Sequence, residues 1–212
     1  MIEKELPKKI SVFPLSNAIF FPKTILPLNI FEKRYLQMVG DCMKEEKIFG
    51  MIQPKTKKNK NSDLYKVGCL GKIISFNETQ DNRCIIALSG IIRFKIIEEL
   101  KNNKLYREFT VDYSDYLNDL KNNVVVEKSK EKNNLLRKIE LFFNKMDCYV
   151  ELKEFKKLSF DQLVSTICMV SPFSVEEKQK LIEIVKPEDK FKTLDSIINF
   201  NLLNAQSNKT IQ

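Results

Sequence analysis

Near residue 119 the spacing of apolar side chains changes, and few folds accommodate that change. Ahead of it apolar residues alternate with polar ones: Phe109, Val111 and Tyr113 are interleaved with Thr110 and Asp112. Alternation is the period of a strand with one buried face. Beyond it Leu135, Leu136, Ile139, Phe142, Phe143 and Met146 recur at three- and four-residue steps, the period of a helix with one buried stripe. The two patterns occupy separate stretches, which predicts an α+β chain with a β lobe over residues 1–118 and a helical lobe over 119–205. The residues after 205 are mostly polar and predict a frayed tail over 206–212. A chain of 212 residues, 43% of them apolar, can bury one large core or two smaller ones.

Within the first stretch, residues 10–15 alternate, with Pro14 suited to a strand end. Residues 20–28 carry Pro22 and Pro27 and no helical period, so they are extended or looped. A helix is expected next, capped by Asn29 with Glu32 as reciprocal partner, and with Phe31, Tyr35, Met38, Val39 and Cys42 on its buried face. Strand-like runs follow at 48–52, 65–78, 83–89, 91–100 and 105–113. Turns are expected at 79–82, at Gly90 and at Asn102-Asn103. Sequential antiparallel strands in this number favour a small β-barrel or a strongly coiled sheet. Between the first two runs, residues 54–63 are rich in lysine and asparagine and predict a mobile basic loop.

In the second stretch Ser159 with Gln162, and Ser174 with Glu177, have the spacing of capping boxes. Pro187 suits the first turn of a last helix carrying Phe191, Leu194, Ile198 and Leu202. Four helices with short connections predict a four-helix, bundle-like lobe.

Several kinds of chemistry are excluded by residue type. The chain has no histidine, which removes Ser-His and Cys-His nucleophiles and histidine-containing zinc sites. Its five glycines (40, 50, 68, 71 and 90) never stand five apart, so a GxxxxGK[ST] phosphate loop cannot be written. Gly68 and Gly71 lie inside a β run, where a bulge or a close strand approach accounts for them. No spacing marks a Ser–Lys or carboxylate pair, and no catalytic residue, cofactor or metal is expected. The cysteines at 42, 69, 84, 148 and 168 are odd in number, widely spaced and set among apolar neighbours, and read as small buried hydrophobes. No apolar run reaches the roughly 18 residues that span a bilayer, and the acidic, proline-containing start is unlike a signal peptide, so a cytoplasmic protein is expected. The net charge of +8 invites nucleic acid, yet residues 54–66 alone contribute +4 of it. A phosphate-tracking face spreads its cations along structured surface among aromatics.

Four collinear segments carry a resemblance. Phe13-Pro14-Leu15, Phe21-Pro22 and the run from Leu26 through Tyr35 to Met38 resemble the opening of the Lon protease N-terminal domain. Val67-Gly68-Cys69-Leu70-Gly71-Lys72-Ile73 is similar to that family's V-G-T-x-G-x-I strand, with Cys69 replacing a small polar residue. Leu88 to Phe94 resembles its L-x-G-x-x-R-F segment, and Lys178 to Glu183 its K-Q-x-L-L-E helix. The resemblance implies a PUA-like β lobe followed by helices, and a part in selecting protein substrates. No ATPase or peptidase segment is seen here, so the expectation is a free-standing, non-catalytic module that binds unfolded or apolar-rich polypeptides. It could act as an adaptor for a protease or chaperone. RNA binding is the alternative, since PUA-like barrels in other families bind RNA. For the polypeptide contact the candidates are Phe20, Phe21 and Ile25: neighbouring side chains of an extended, proline-stiffened segment diverge, so one of the two phenyls is either exposed to a partner or covered by a loop or by the helical lobe.

Overall fold

A computed structural model describes residues 6–55, 63–121, 129–148 and 151–207. Most of the expected basic loop 54–63 and of the tail 206–212 lies outside these residues. The described chain is α+β, and its contacts divide it into two units. Residues 1–122 with 174–183 form the first, and residues 123–173 with 184–212 the second.

The first unit is a six-stranded mixed sheet: β1 (Lys9–Pro14), β2 (Ile25–Ile30), β3 (Ile48–Pro54), β4 (Leu64–Glu78), β5 (Cys84–Leu100) and β6 (Arg107–Asp112). Their order is β2-β5-β4-β3-β1-β6, and β6 pairs again with β5. Five strands thus close a circuit, with β2 added outside it on the first half of β5. The 17-residue β5 allows this, pairing with β2 along Cys84–Ser89 and with β6 along Lys95–Leu100. One pairing departs from the antiparallel expectation: β1 and β3 run parallel, Val12 beside Gly50 and Pro14 beside Ile52. A parallel pair needs a long connection, and β2 and helix α1 (Lys33–Lys44) supply it.

Helix α1 buries Tyr35, Met38, Val39 and Cys42, the stripe expected of it. Its start differs from the expectation. Glu32 is the N-cap residue and makes no side-chain cap, because its carboxylate takes Arg34 at 2.8 Å. Asn29 is instead a strand residue opposite Ile85, and Phe31 stands outside the helix with its ring exposed. Gly90 is not a turn either. Two strand-like runs fuse through it into β5, and it lies where another stretch of backbone crosses: a Cβ there would meet the Phe21 carbonyl oxygen at 2.0 Å.

Helix α5 (Val175–Glu183), assigned by its sequence position to the helical run, belongs to the first unit. Its Gln179 amide donates to the Val67 carbonyl of β4 at 3.3 Å and its carboxamide oxygen accepts from Gln53 of β3 at 3.1 Å. Its buried Lys178 reaches the Asn17 carbonyl at 3.0 Å. The cap is the Ser174–Glu177 box expected from sequence.

The second unit holds α2 (Ser129–Lys145), α3 (Leu152–Lys157), α4 (Phe160–Val170) and α6 (Pro187–Ser207). Leu135, Leu136, Ile139, Phe142 and Phe143 of α2 are buried, and the stripe stops before Met146, which is exposed. Phe142 packs on Phe173 at 5.6 Å between ring centres, and Phe160 on Phe191 at 5.1 Å. The Ser159–Gln162 capping box starts α4.

Candidate functional site

The Phe20–Ile25 segment holds the three residues singled out from sequence, and the structure separates them. Phe20 and Phe21 are 1% and 0% exposed, whereas Ile25 is 57% exposed. The expectation that the two phenyls diverge assumed extended backbone. A turn stands there instead. Lys23 adopts a positive φ of 62°, and the Thr24 hydroxyl donates to the Phe21 carbonyl at 2.7 Å. With the backbone folded back, both rings can turn inward. The Phe20 ring lies against Gly71, where a Cβ would come within 2.7 Å of it. Neither phenyl is therefore available to a partner, and Ile25 alone of the three is on the surface.

From Ile25 a wider apolar surface can be built up through the strand registers. Ile25 stands opposite Ser89, Pro27 opposite Ala87 and Asn29 opposite Ile85. Across β5, Ser89 faces Lys72, Ala87 faces Ser75 and Ile85 faces Asn77. Ile74 is the extra residue of the bulge between Ile73 and Ser75. Side chains in these rows share one face of the β2–β5–β4 ribbon, because alternate residues of a strand point the same way. The intervening rows, including Leu28, Ile86, Leu88 and Ile73, are buried on the opposite face. The outer face accordingly presents Ile25, Pro27, Ile74 and Ile85, with Phe31 just past the end of β2. Exposures are 57% for Ile25, 62% for Phe31, 55% for Ile74 and 47% for Ile85. Isolated exposed apolar residues are ordinary; several on adjoining strands are not. The Arg83 guanidinium lies 5.9 Å from the Phe31 ring centre and is held by Asp81 at 2.8 Å.

A groove of about 570 Å³ opens elsewhere in this unit, among Val12, Pro14, Tyr35, Leu105 and Arg107. Its guanidinium groups are engaged: Arg34 with Glu32, and Arg107 with Glu99 through two contacts of 2.7 Å. These bonds to Arg107 hold the Glu99 carboxyl below its usual range.

Buried ionisable groups elsewhere brace the fold. Arg93, in the motif Leu88 to Phe94, grips Asp119 through two nitrogens at 2.9 Å, donates to the Ile182 carbonyl at 3.0 Å and stacks on Tyr116 at 4.4 Å. One side chain so ties β5, the 3-10 helix Ser114–Leu120 and α5 together. Four of the five cysteines are buried, and burial pushes the Cys168 thiol up to about 12, far from a reactive thiolate. Among the described residues no three His, Cys, Asp or Glu side chains are grouped to hold a metal ion, and no helix is long and apolar enough to cross a membrane.

The fold is that of solved Lon N-terminal domains. A Lon N-terminal domain protein from Xanthomonas campestris superposes with a TM-score of 0.63 at 18% identity, over 89% of this chain and 97% of that one. The N-terminal domain of a Mycobacterium avium complex Lon protease gives 0.64 at 12% identity, over 91% and 98%. The family model for the ATP-dependent protease La (LON) substrate-binding domain matches residues 9–199, and the chain belongs to that family. A Lon protease of Syntrophus aciditrophicus is 21% identical over 98% of this chain, which corresponds to 27% of that protein. One from Anaeromyxobacter dehalogenans is 26% identical over 46% of this chain and 12% of its own length. The chain thus spans about a quarter or less of these curated relatives.

Proposed function

We propose that this chain is a non-catalytic module that holds unfolded or apolar-rich polypeptides, and that its contact surface is the outer face of the β2–β5–β4 ribbon around Ile25 and Ile85. Membership of a substrate-binding domain family supports the class of partner. The observation that carries the site is the exposed set Ile25, Phe31, Ile74 and Ile85 on one sheet face. Such a surface gains free energy from covering by any apolar segment, with little demand on its order of residues. That suits a module selecting clients by their unfolded state. Presentation of those clients to a protease or chaperone belongs to the same reading.

The test is binding of a labelled, permanently unfolded protein to the full chain, to Ile25→Asp and to Ile85→Asp. Covering half an isoleucine side chain contributes about 1 kcal/mol, so each variant should bind about fivefold more weakly. Both side chains are already exposed, so melting temperatures should hold. Wild-type affinity in both variants would reject this face as the contact surface.

A further inference from the structure

We infer that the outer edge of β2, which no described strand covers, takes the bound polypeptide as an additional strand, aligning an extended, acid-flanked segment beside the apolar face; this rests on the polypeptide-binding function proposed above. The backbone registers say which groups are unspent. The Gly90 N–H donates to the Thr24 carbonyl at 3.0 Å, and Thr24 precedes the pair Ile25–Ser89. In an antiparallel ladder alternate residues turn their N–H and C=O toward the neighbour. Thr24, Leu26, Leu28 and Ile30 therefore face β5, and Ile25, Pro27 and Asn29 face away from it. Pro27, lacking an N–H, falls in the outward set, where a ladder does not miss its donor. Among the described residues β2 pairs with β5 alone, and the outward groups of Ile25 to Asn29 enter no other backbone hydrogen bond.

What remains at the edge is two N–H donors, of Ile25 and Asn29, and three carbonyls, of Ile25, Pro27 and Asn29. Their alternating spacing matches the backbone of another extended polypeptide. The side chains of these same residues lie on the outer face, so an added strand would set every second side chain beside Ile25 and Pro27. Charge narrows the choice further. Lys33 and Lys72 are exposed and take part in none of the ion pairs among the described residues, whereas Glu32 and Asp81 are held by Arg34 and Arg83. Lys72 stands in the row of Ile25 and Ser89, at one end of the apolar face. A segment with acidic flanks complements this strip better than a basic one. It also complements it better than a second copy of a chain whose net charge is +8.

The experiment uses the full chain and a ten-residue peptide of alternating valine and threonine with a glutamate at each end. Analogues carry backbone N-methyl groups at the odd or at the even interior positions, and a last analogue has lysine ends. An added strand uses one edge of the peptide. One methylated series should then weaken binding about tenfold or more while the other stays within about twofold, each lost backbone hydrogen bond being worth several-fold. The lysine-ended analogue should bind several-fold more weakly than the parent. If both methylated series bind like the parent, the edge is not used and the inference falls, although the face could still hold clients. A parent peptide that fails while an unfolded protein binds through Ile25 and Ile85 overturns it in the same way. Failure of the unfolded protein itself removes the underlying function. Sedimentation that shows a dimer which the parent peptide neither binds nor dissociates would assign the edge to a second copy and overturn the inference.

Discussion

Phe21 shows at a single residue how a local turn overrides a pattern. Proline-stiffened Phe20-Phe21-Pro22 invites an extended reading, in which the two rings point to opposite faces. The positive φ of Lys23 and the close pass of Phe21 over Gly90 decide otherwise, and both depend on residues distant in sequence. Phe21→Ser should therefore act through stability, costing about 3–5 kcal/mol for a buried phenyl, with client affinity unchanged in whatever stays folded. Urea titration read beside binding would separate the two. Glu108 is a second residue whose role the fold creates. Burial by itself would raise its carboxyl, but hydrogen bonds from Lys104 and Lys9, at 3.0 and 3.1 Å, outweigh it and hold the carboxyl below the usual 4.5. A carboxylate with a lowered folded value binds fewer protons than in the unfolded chain. Its stabilisation is thus complete above pH 4.5 and is lost as pH falls through the folded value. The urea midpoint should fall on acidification from about pH 6 to about pH 3, and less steeply in Glu108→Gln.

Helices with local stop and start signals are legible in the sequence; pairings between distant stretches are not. Of the three capping boxes read from residues three apart, those at Ser159 and Ser174 form, and the one at Asn29 does not, because Asn29 is drawn into β2 opposite Ile85. The parallel contact of β1 with β3 rests on stretches nearly forty residues apart, and no local pattern encodes it. Gly90 splits β5 when only the sequence is read, because a glycine inside a strand resembles a turn, whereas its missing Cβ makes room for Phe21. The outer apolar face is illegible for a related reason. Ile25, Ile74 and Ile85 belong to three different strands and become one surface only through register. Helix α5 is the largest difference of this kind, since its periodicity marks a helix without saying what it packs against. Gln179 is the test of its placement. Gln179→Leu keeps the shape but strips a partner from the Val67 carbonyl and from the Gln53 amide, and should cost about 1–3 kcal/mol. Adding Gln53→Leu should recover part of that loss, because two apolar side chains leave fewer orphaned polar groups than one. A neutral single variant, by chemical denaturation, would place α5 loosely on its surroundings.

For the whole molecule the open question is what its positive charge does. The net +8 comes to +6 over residues 1–118 and +2 over the rest, and half of the total sits in residues 54–66. Charge of this kind attracts polyanions at a distance and speeds encounter with acidic chains. It does not by itself hold a partner, and salt tells the two apart. A surface that neutralises about six phosphates loses roughly a thousandfold in affinity between 50 and 200 mM salt through counterion release. A contact made by Ile25, Phe31, Ile74 and Ile85 relies on apolar burial, which salt at these concentrations barely alters. A few flanking cations add a modest screened attraction. Binding of an unfolded, acid-containing client should therefore weaken no more than about threefold over that range, and Ile85→Asp should weaken it at both ends. Binding of a structured RNA at 200 mM salt should be too weak to compete with the client. If RNA instead displaces the client there, and the client affinity falls as steeply as that of a polyanion, the charge rather than the apolar face is the binding surface.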